Sequence, residues 1–228
     1  YARREGKPRW GDKTPGNTRI APQLIAQFPD AQFLHIVRDG RDVYLSWARL
    51  RWARYDVRTA ARRWKDWVRC AYAPLHRLGP QRFHEIRYED LIRSPRAVLE
   101  GVCRFLGETF SESMLHYHER GGWVPEEGQD AHRLLSQPPE PSRAYTWKRA
   151  MPPEEVRIFD AIAGSTLLRY GYDVTPGRRW QARMQLGVER FSGKGRGMSQ
   201  GPGVASFDVF DTLLTRDAFF VQVQDTDE

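Results

Sequence analysis

The stretch Gln32–Trp47, QFLHIVRDGRDVYLSW, constrains this chain more than any other. Gln32 to Val37 is a short apolar run with β-branched and aromatic members. It suits a strand covered on both faces, as in a parallel sheet. Asp39 is a good N-cap for a helix running to about Arg54. Arg38 therefore stands at the end of the strand. Ser46 follows inside the helix, pointing in nearly the same direction as Asp39 at 3.6 residues per turn. Strand, turn and helix N-terminus together place backbone N–H groups and a positive dipole end at the carboxyl edge of the sheet, where α/β proteins bind ligands. Arg38 adds a planar cation and Ser46 a neutral donor, which is a grip for a phosphate group. The competing reading is an Arg–Asp pair that only braces the turn.

Composition agrees with an anionic ligand without demanding one. Lys and Arg number 36 against 29 acidic residues, for a net charge of +7, and Arg outnumbers Lys. The guanidinium fork matches phosphate and sulfate oxygens, but many soluble proteins are equally basic. The length of 228 residues suits one medium domain and a further piece. Cys70 and Cys103 both fall in helical segments and read as buried reduced thiols. No metal-ligand spacing is present, and no apolar run approaches the roughly 18 residues that span a bilayer.

The rest of the chain supplies the layers around this core. Tyr1 to Gly16 is polar and reads as a loop. Asn17 or Thr18 is placed to cap a short helix through Gln27. His35, within the strand, reads as a packed core histidine. A long helix is expected over Val57 to Leu78, with Ala61, Trp64, Val68, Ala71 and Leu75 on one stripe and arginines on the solvated face. Arg82 to Tyr88 reads as a second strand. Pro95 opens a helix to about Leu106, Ser111 to His118 a short one, and Pro153 another to about Leu168. Glu119 to Pro141 reads as an exposed loop over the site. Residues 1–180 form one domain in this reading. Gln181 to Gly203, rich in Gly, Ser and Pro, reads as a linker, and residues 204–228 as the opening of a second domain beginning with a strand over Val204 to Val209.

The combination of Asp12-Lys13-Thr14-Pro15, the strand–turn–helix of Gln32–Trp47, and Arg87-Tyr88-Glu89-Asp90 resembles the nucleotide-dependent sulfotransferase family, nearest its tyrosylprotein and carbohydrate branch. The resemblance spans about Trp10 to Asp173. It implies an α/β fold of P-loop-NTPase-like architecture, a parallel sheet flanked by helices. It also implies transfer of a sulfuryl group from 3′-phosphoadenosine-5′-phosphosulfate (PAPS) to a hydroxyl or amine, without a metal. Arg38 and Ser46 match the family's 3′-phosphate motif and spacing. Lys13 matches a lysine near the transferring group, where it would stabilise charge on the bridging oxygen. Tyr88 matches a contact to the adenosine part. Trp147 and Lys148 resemble the late loop that closes over the nucleotide's 3′ end. The family's first strand and its phosphosulfate loop have no counterpart before Lys13, so little or no transfer is expected from these 228 residues alone. SFDVFDTLLTR resembles the first motif of the haloacid dehalogenase superfamily, with Asp208 as nucleophile and Thr212 contacting the transferred group. Phe210 stands where that superfamily's phosphatases carry a second Asp.

Such a fused domain suggests a saccharide as acceptor by analogy, and a cytoplasmic location is expected. Nucleic acid is not expected as a partner. Two rival readings stay open. One is a P-loop phosphotransferase, which should show GxxxxGK[ST] and an Asp for magnesium. The other is a non-enzymatic basic module for anionic glycan or nucleic acid, working through Arg58, Arg62 and Arg69.

Overall fold

A computed structural model describes residues 9–49, 55–119, 137–191 and 218–224. The chain divides into two compact units. The first comprises residues 1–38, 70–145 and 206–228, and the second residues 39–69 and 146–205.

The first unit is built on a four-stranded mixed sheet. Its strands are β1 (Arg9–Lys13), β2 (Gln32–Val37), β3 (Phe83–Arg87) and β4 (Ala218–Gln224), in the order β1-β4-β2-β3. β2 and β3 are parallel, and β4 runs antiparallel to both β1 and β2. β1, β2 and β3 therefore share one direction. β2 is buried on both faces, as its apolar run requires, because successive side chains alternate across the sheet. Leu34 and Ile36 pack with Ile86, Leu91, Leu99 and Val102, which come from β3, α4 (Tyr88–Arg93) and α5 (Pro95–Leu106). Phe33 packs on the other face with Ala21 of α1 (Ala21–Gln27), Ala31, and Ala71 and Leu75 of α3 (Val57–His76). Each large side chain buried in this way contributes about 1.5–3 kcal/mol. α5 opens at Pro95 as expected. It stops at Gly107, whose φ of 71° suits the left-handed cap that glycine takes without a Cβ penalty.

The second unit holds α2 (Gly40–Ala48), the first part of α3, α6 (Trp147–Ala150), α7 (Pro153–Arg169) and α8 (Pro176–Phe191). Trp64 and Phe159 are fully buried, with ring centroids 6.0 Å apart. Gly40 lies against both. A Cβ at position 40 would sit 2.4 Å from Trp64 Cδ2 and 2.8 Å from Phe159 Cζ. Gly40→Ala is therefore expected to destabilise the fold by about 1–3 kcal/mol through overpacking. A urea unfolding midpoint equal to that of the wild type would show instead that the indole can withdraw.

Several expected elements change. Arg9–Lys13, read as loop, is strand β1. It is polar because its order comes from side-chain bonds. The Arg9 guanidinium donates to the Leu106 carbonyl (2.6 Å) and to Gln32 Oε1 (2.7 Å), and Asn17 donates to Asp12 (2.6 Å). Asn17 is thus engaged with Asp12 and caps no helix. Pro15–Ile20 forms a 3-10 turn, and α1 starts only at Ala21 without a side-chain cap. Ser111 to His118 resolves into two 3-10 turns, Glu112–Met114 and Tyr117–Glu119. Residues 181–191, read as linker, lie in α8, while 192–203 fall outside the described residues. So do the expected strand over Val204 to Val209, together with Asp208 and Thr212, and most of the expected loop, residues 120–136. β4 was not foreseen. The stripe of α3 is as expected: Ala61, Trp64, Val68, Ala71 and Leu75 are all buried. No helix among the described residues is long and apolar enough to cross a membrane.

Candidate functional site

Of the six residues singled out by the sulfotransferase resemblance, the first unit brings three to the carboxyl ends of its like-directed strands. Lys13 ends β1, Arg38 follows β2, and Tyr88 follows β3. In register Val37 faces Arg87, so Arg38 and Tyr88 leave the sheet side by side. The Arg38 guanidinium lies over the Tyr88 ring, 4.3 Å from its centroid, and its Nη2 donates to the Arg143 carbonyl at 3.3 Å. Arg38 is 8% exposed and Tyr88 1%. Burial this deep strengthens any charge pairing that Arg38 makes. Tyr88, packed in the core cluster beneath it, serves as the platform.

Lys13 is also buried. It pairs with Phe220 of β4, which pairs in turn with Leu34 of β2. Lys13 is thus level with Leu34 and set back from Arg38 along the strand direction by roughly 13 Å.

His35 is a core histidine, as read from the sequence. It is fully buried, and its Nδ1 lies 3.0 Å from Glu85 Oε2, directly opposite on β3.

The other three residues belong to the second unit. Ser46 lies in the last turn of α2 and is half-buried. Trp147 opens α6, and its backbone N–H donates to Asp42 Oδ1 at 2.8 Å. Lys148 is exposed, with Nζ 3.7 Å from Asp173 Oδ2.

The N-terminus of α2 is capped by Asp39, as read from the sequence. The Asp39 side chain accepts from the Arg41 N–H at 3.0 Å, and the Asp39 carbonyl accepts from the Asp42 and Val43 N–H groups. The helix start is therefore satisfied by Asp39 itself.

Sequence reasoning missed Arg41. It is fully buried and ties together Asp39, Asp160 and Asp173 of the second unit. Its Nε and Nη2 donate to Asp39 (2.9 and 2.8 Å), Nη1 donates to Asp160 Oδ1 (3.0 Å), and Nη2 also donates to the Asp173 carbonyl (2.7 Å). Its guanidinium stacks on the Trp147 indole at 3.6 Å. Burial by itself would lower the Arg41 pKa. The Asp39, Asp160 and Asp42 carboxylates outweigh that and push it above the ordinary value. Asp160 also accepts from the Thr175 N–H at 2.8 Å and from the Thr175 hydroxyl. One signal was available in the sequence: Asp160 is the one acid among the buried residues of α7, and buried charges need partners.

Comparison with known proteins gives a likeness for part of the chain. Residues 1–112 match the model of the Sulfotransferase family. Among curated relatives, protein-tyrosine sulfotransferase 2 of Gallus gallus is 27% identical over 113 residues, covering 47% of this chain and 30% of that protein. The omega-hydroxy-beta-dihydromenaquinone-9 sulfotransferase Stf3 of Mycobacterium tuberculosis is 35% identical over 107 residues, covering 42% of this chain and 28% of that protein. The chain thus spans less than a third of the length of these relatives. Among solved structures, the sulfotransferase domain from the curacin biosynthetic pathway aligns at a TM-score of 0.47 and 23% identity, over 62% of this chain and 53% of that one. Over residues 1–112, then, what this chain is similar to is the sulfotransferase family.

Proposed function

We propose that the chain recognises the donor nucleotide of a PAPS-dependent sulfotransferase, an enzyme that moves a sulfuryl group to a hydroxyl or amine acceptor. The observation that carries this reading is Arg38, a deeply buried cation held over Tyr88 at the carboxyl end of β2. A guanidinium in that setting binds an anionic oxygen far better than an exposed one. In this reading Arg38 and Ser46 hold the 3′-phosphate, and Tyr88 acts by steadying Arg38. Lys13, set back on β1, stands toward the phosphosulfate end and stabilises charge on the bridging oxygen. Trp147 and Lys148 close over the 3′ end of the nucleotide. PAPS supplies the activated sulfuryl group.

The two relatives described above are named for a protein tyrosine and an omega-hydroxy menaquinone derivative, both hydroxyl-bearing. A hydroxyl acceptor is therefore the reading with support. A saccharide rests only on the analogy with a fused second domain, and the haloacid dehalogenase-like reading of 204–228 rests only on the motif around Asp208 and Thr212.

A thermal-shift measurement tests the donor assignment. 3′,5′-ADP, the product nucleotide, is expected to raise Tm, whereas ATP with magnesium is not, since only a ligand that binds the folded state stabilises it. Stabilisation by ATP with magnesium alone would favour a P-loop phosphotransferase.

A further inference from the structure

Tyr145 is the only non-glycine residue with positive φ among the described residues, at 56°. A Cβ makes this left-handed conformation unfavourable, and glycine or asparagine usually occupies it. Side chains that persist there are held by their surroundings and gather at functional sites. Two arginines hold this one. Arg87 Nη2 donates to the Tyr145 hydroxyl at 2.5 Å, and the Arg93 guanidinium lies over the ring at 5.0 Å. Arg87 is directly beside Val37 in register, so the residue that grips Tyr145 and the residue that follows Val37, Arg38, leave neighbouring strands together. Two residues before Tyr145, the carbonyl of Arg143 accepts from Arg38. Ala144, between them, is buried in the core cluster, so the turn is anchored on both sides.

We propose that Tyr145 is a positioning residue for Arg38. Arg87 and Arg93 hold Tyr145 in the left-handed conformation. The turn then presents the Arg143 carbonyl to Arg38, which fixes the guanidinium over Tyr88 in the orientation an anion needs. A glycine would adopt the same φ at lower cost, so the phenol is present for its side-chain contacts, the two arginines and the core cluster, and not for the backbone alone. This inference rests on the reading of Arg38 as a phosphate ligand.

The test is calorimetric titration of the intact protein with 3′,5′-ADP, with Tm measured in parallel. Tyr145→Gly keeps the φ and removes both arginine contacts along with the packing of the ring on the core cluster. It is expected to weaken binding by about 10-fold. Tyr145→Phe keeps the ring and loses only the bond from Arg87, with an expected loss of about 3-fold. In an Arg38→Lys background, Tyr145→Gly should add less than about 2-fold, because the two changes act on one group. Should Tyr145→Gly fail to fold, Tyr145→Phe and its combination with Arg38→Lys decide the question. Single variants that bind within 2-fold of wild type would overturn the inference, and so would effects that multiply fully in the Arg38→Lys background. Wild-type protein that binds no 3′,5′-ADP would overturn the donor reading and this inference with it.

Discussion

Arg38→Ala is expected to remove nearly all affinity for 3′,5′-ADP while leaving the fold in place. Truncating one partner of a buried, hydrogen-bonded charge pair costs about 2–5 kcal/mol, or roughly 30- to several-thousand-fold in Kd. Arg38 meets those conditions, being deeply buried and stacked on Tyr88. Arg38→Lys should fall between the two, because lysine keeps the charge and loses the fork and the flat stacking surface. The same titration separates an enzyme from a basic module. Charge reversal at Arg58, Arg62 and Arg69, which are all exposed on α3, should leave the Kd for 3′,5′-ADP within about 2-fold. A loss of binding in that triple variant, with Arg38→Ala near normal, would sink the donor reading and favour a salt-dependent polyanion surface.

The second large effect is on stability. Arg41→Ala leaves Asp39 and Asp160 as two buried carboxylates without their cation. Breaking a buried pair in this way costs about 3–5 kcal/mol, because the desolvated charge stays behind. The measurement is the urea midpoint, which should fall by more than in any single substitution of an exposed arginine. Lys148→Ala should leave it unchanged, because the contact of Lys148 with Asp173 is exposed on both sides. A midpoint for Arg41→Ala close to wild type would mean that the two acids find other partners or water.

These two arginines also mark the limit of what the sequence made legible. β2, α5 and α7 could be read because their signals are local. β2 is an unbroken apolar run, and α5 and α7 each begin at a proline and carry a clear apolar face. Arg38 could be read because it sits at the end of such a run. Arg41, three residues later, looks the same in one dimension. Its partners Asp160 and the Asp173 carbonyl lie more than a hundred residues away, and no local pattern announces them. β1 was invisible for a related reason: RWGDK has no alternation of apolar residues, and its order comes from Arg9, Asp12 and a partner strand near the other end of the chain. α8 was misread because Gly177, Gly187 and several arginines hide a helix in which, among the described side chains, Ala182 alone is buried. Tyr145 left no trace at all, since nothing in a tyrosine's neighbours in sequence foretells a positive φ.

The place of β4 between β1 and β2 bears on the order in which the protein is made and folded. β2 and β3 are separated by a few tens of residues and can pair early, at modest cost in loop closure. β1 comes before β2 in the chain, yet among the described residues its ladder partner is β4. At ~5–20 residues per second, the segment between Val37 and Ala218 takes roughly 10–40 s to synthesise. Throughout that interval the β1–β4 ladder cannot form, and Lys13, which ends β1, lacks that tie to the sheet. The end of β2 that carries Arg38 can thus be ordered during translation, whereas the end of β1 that carries Lys13 waits for β4.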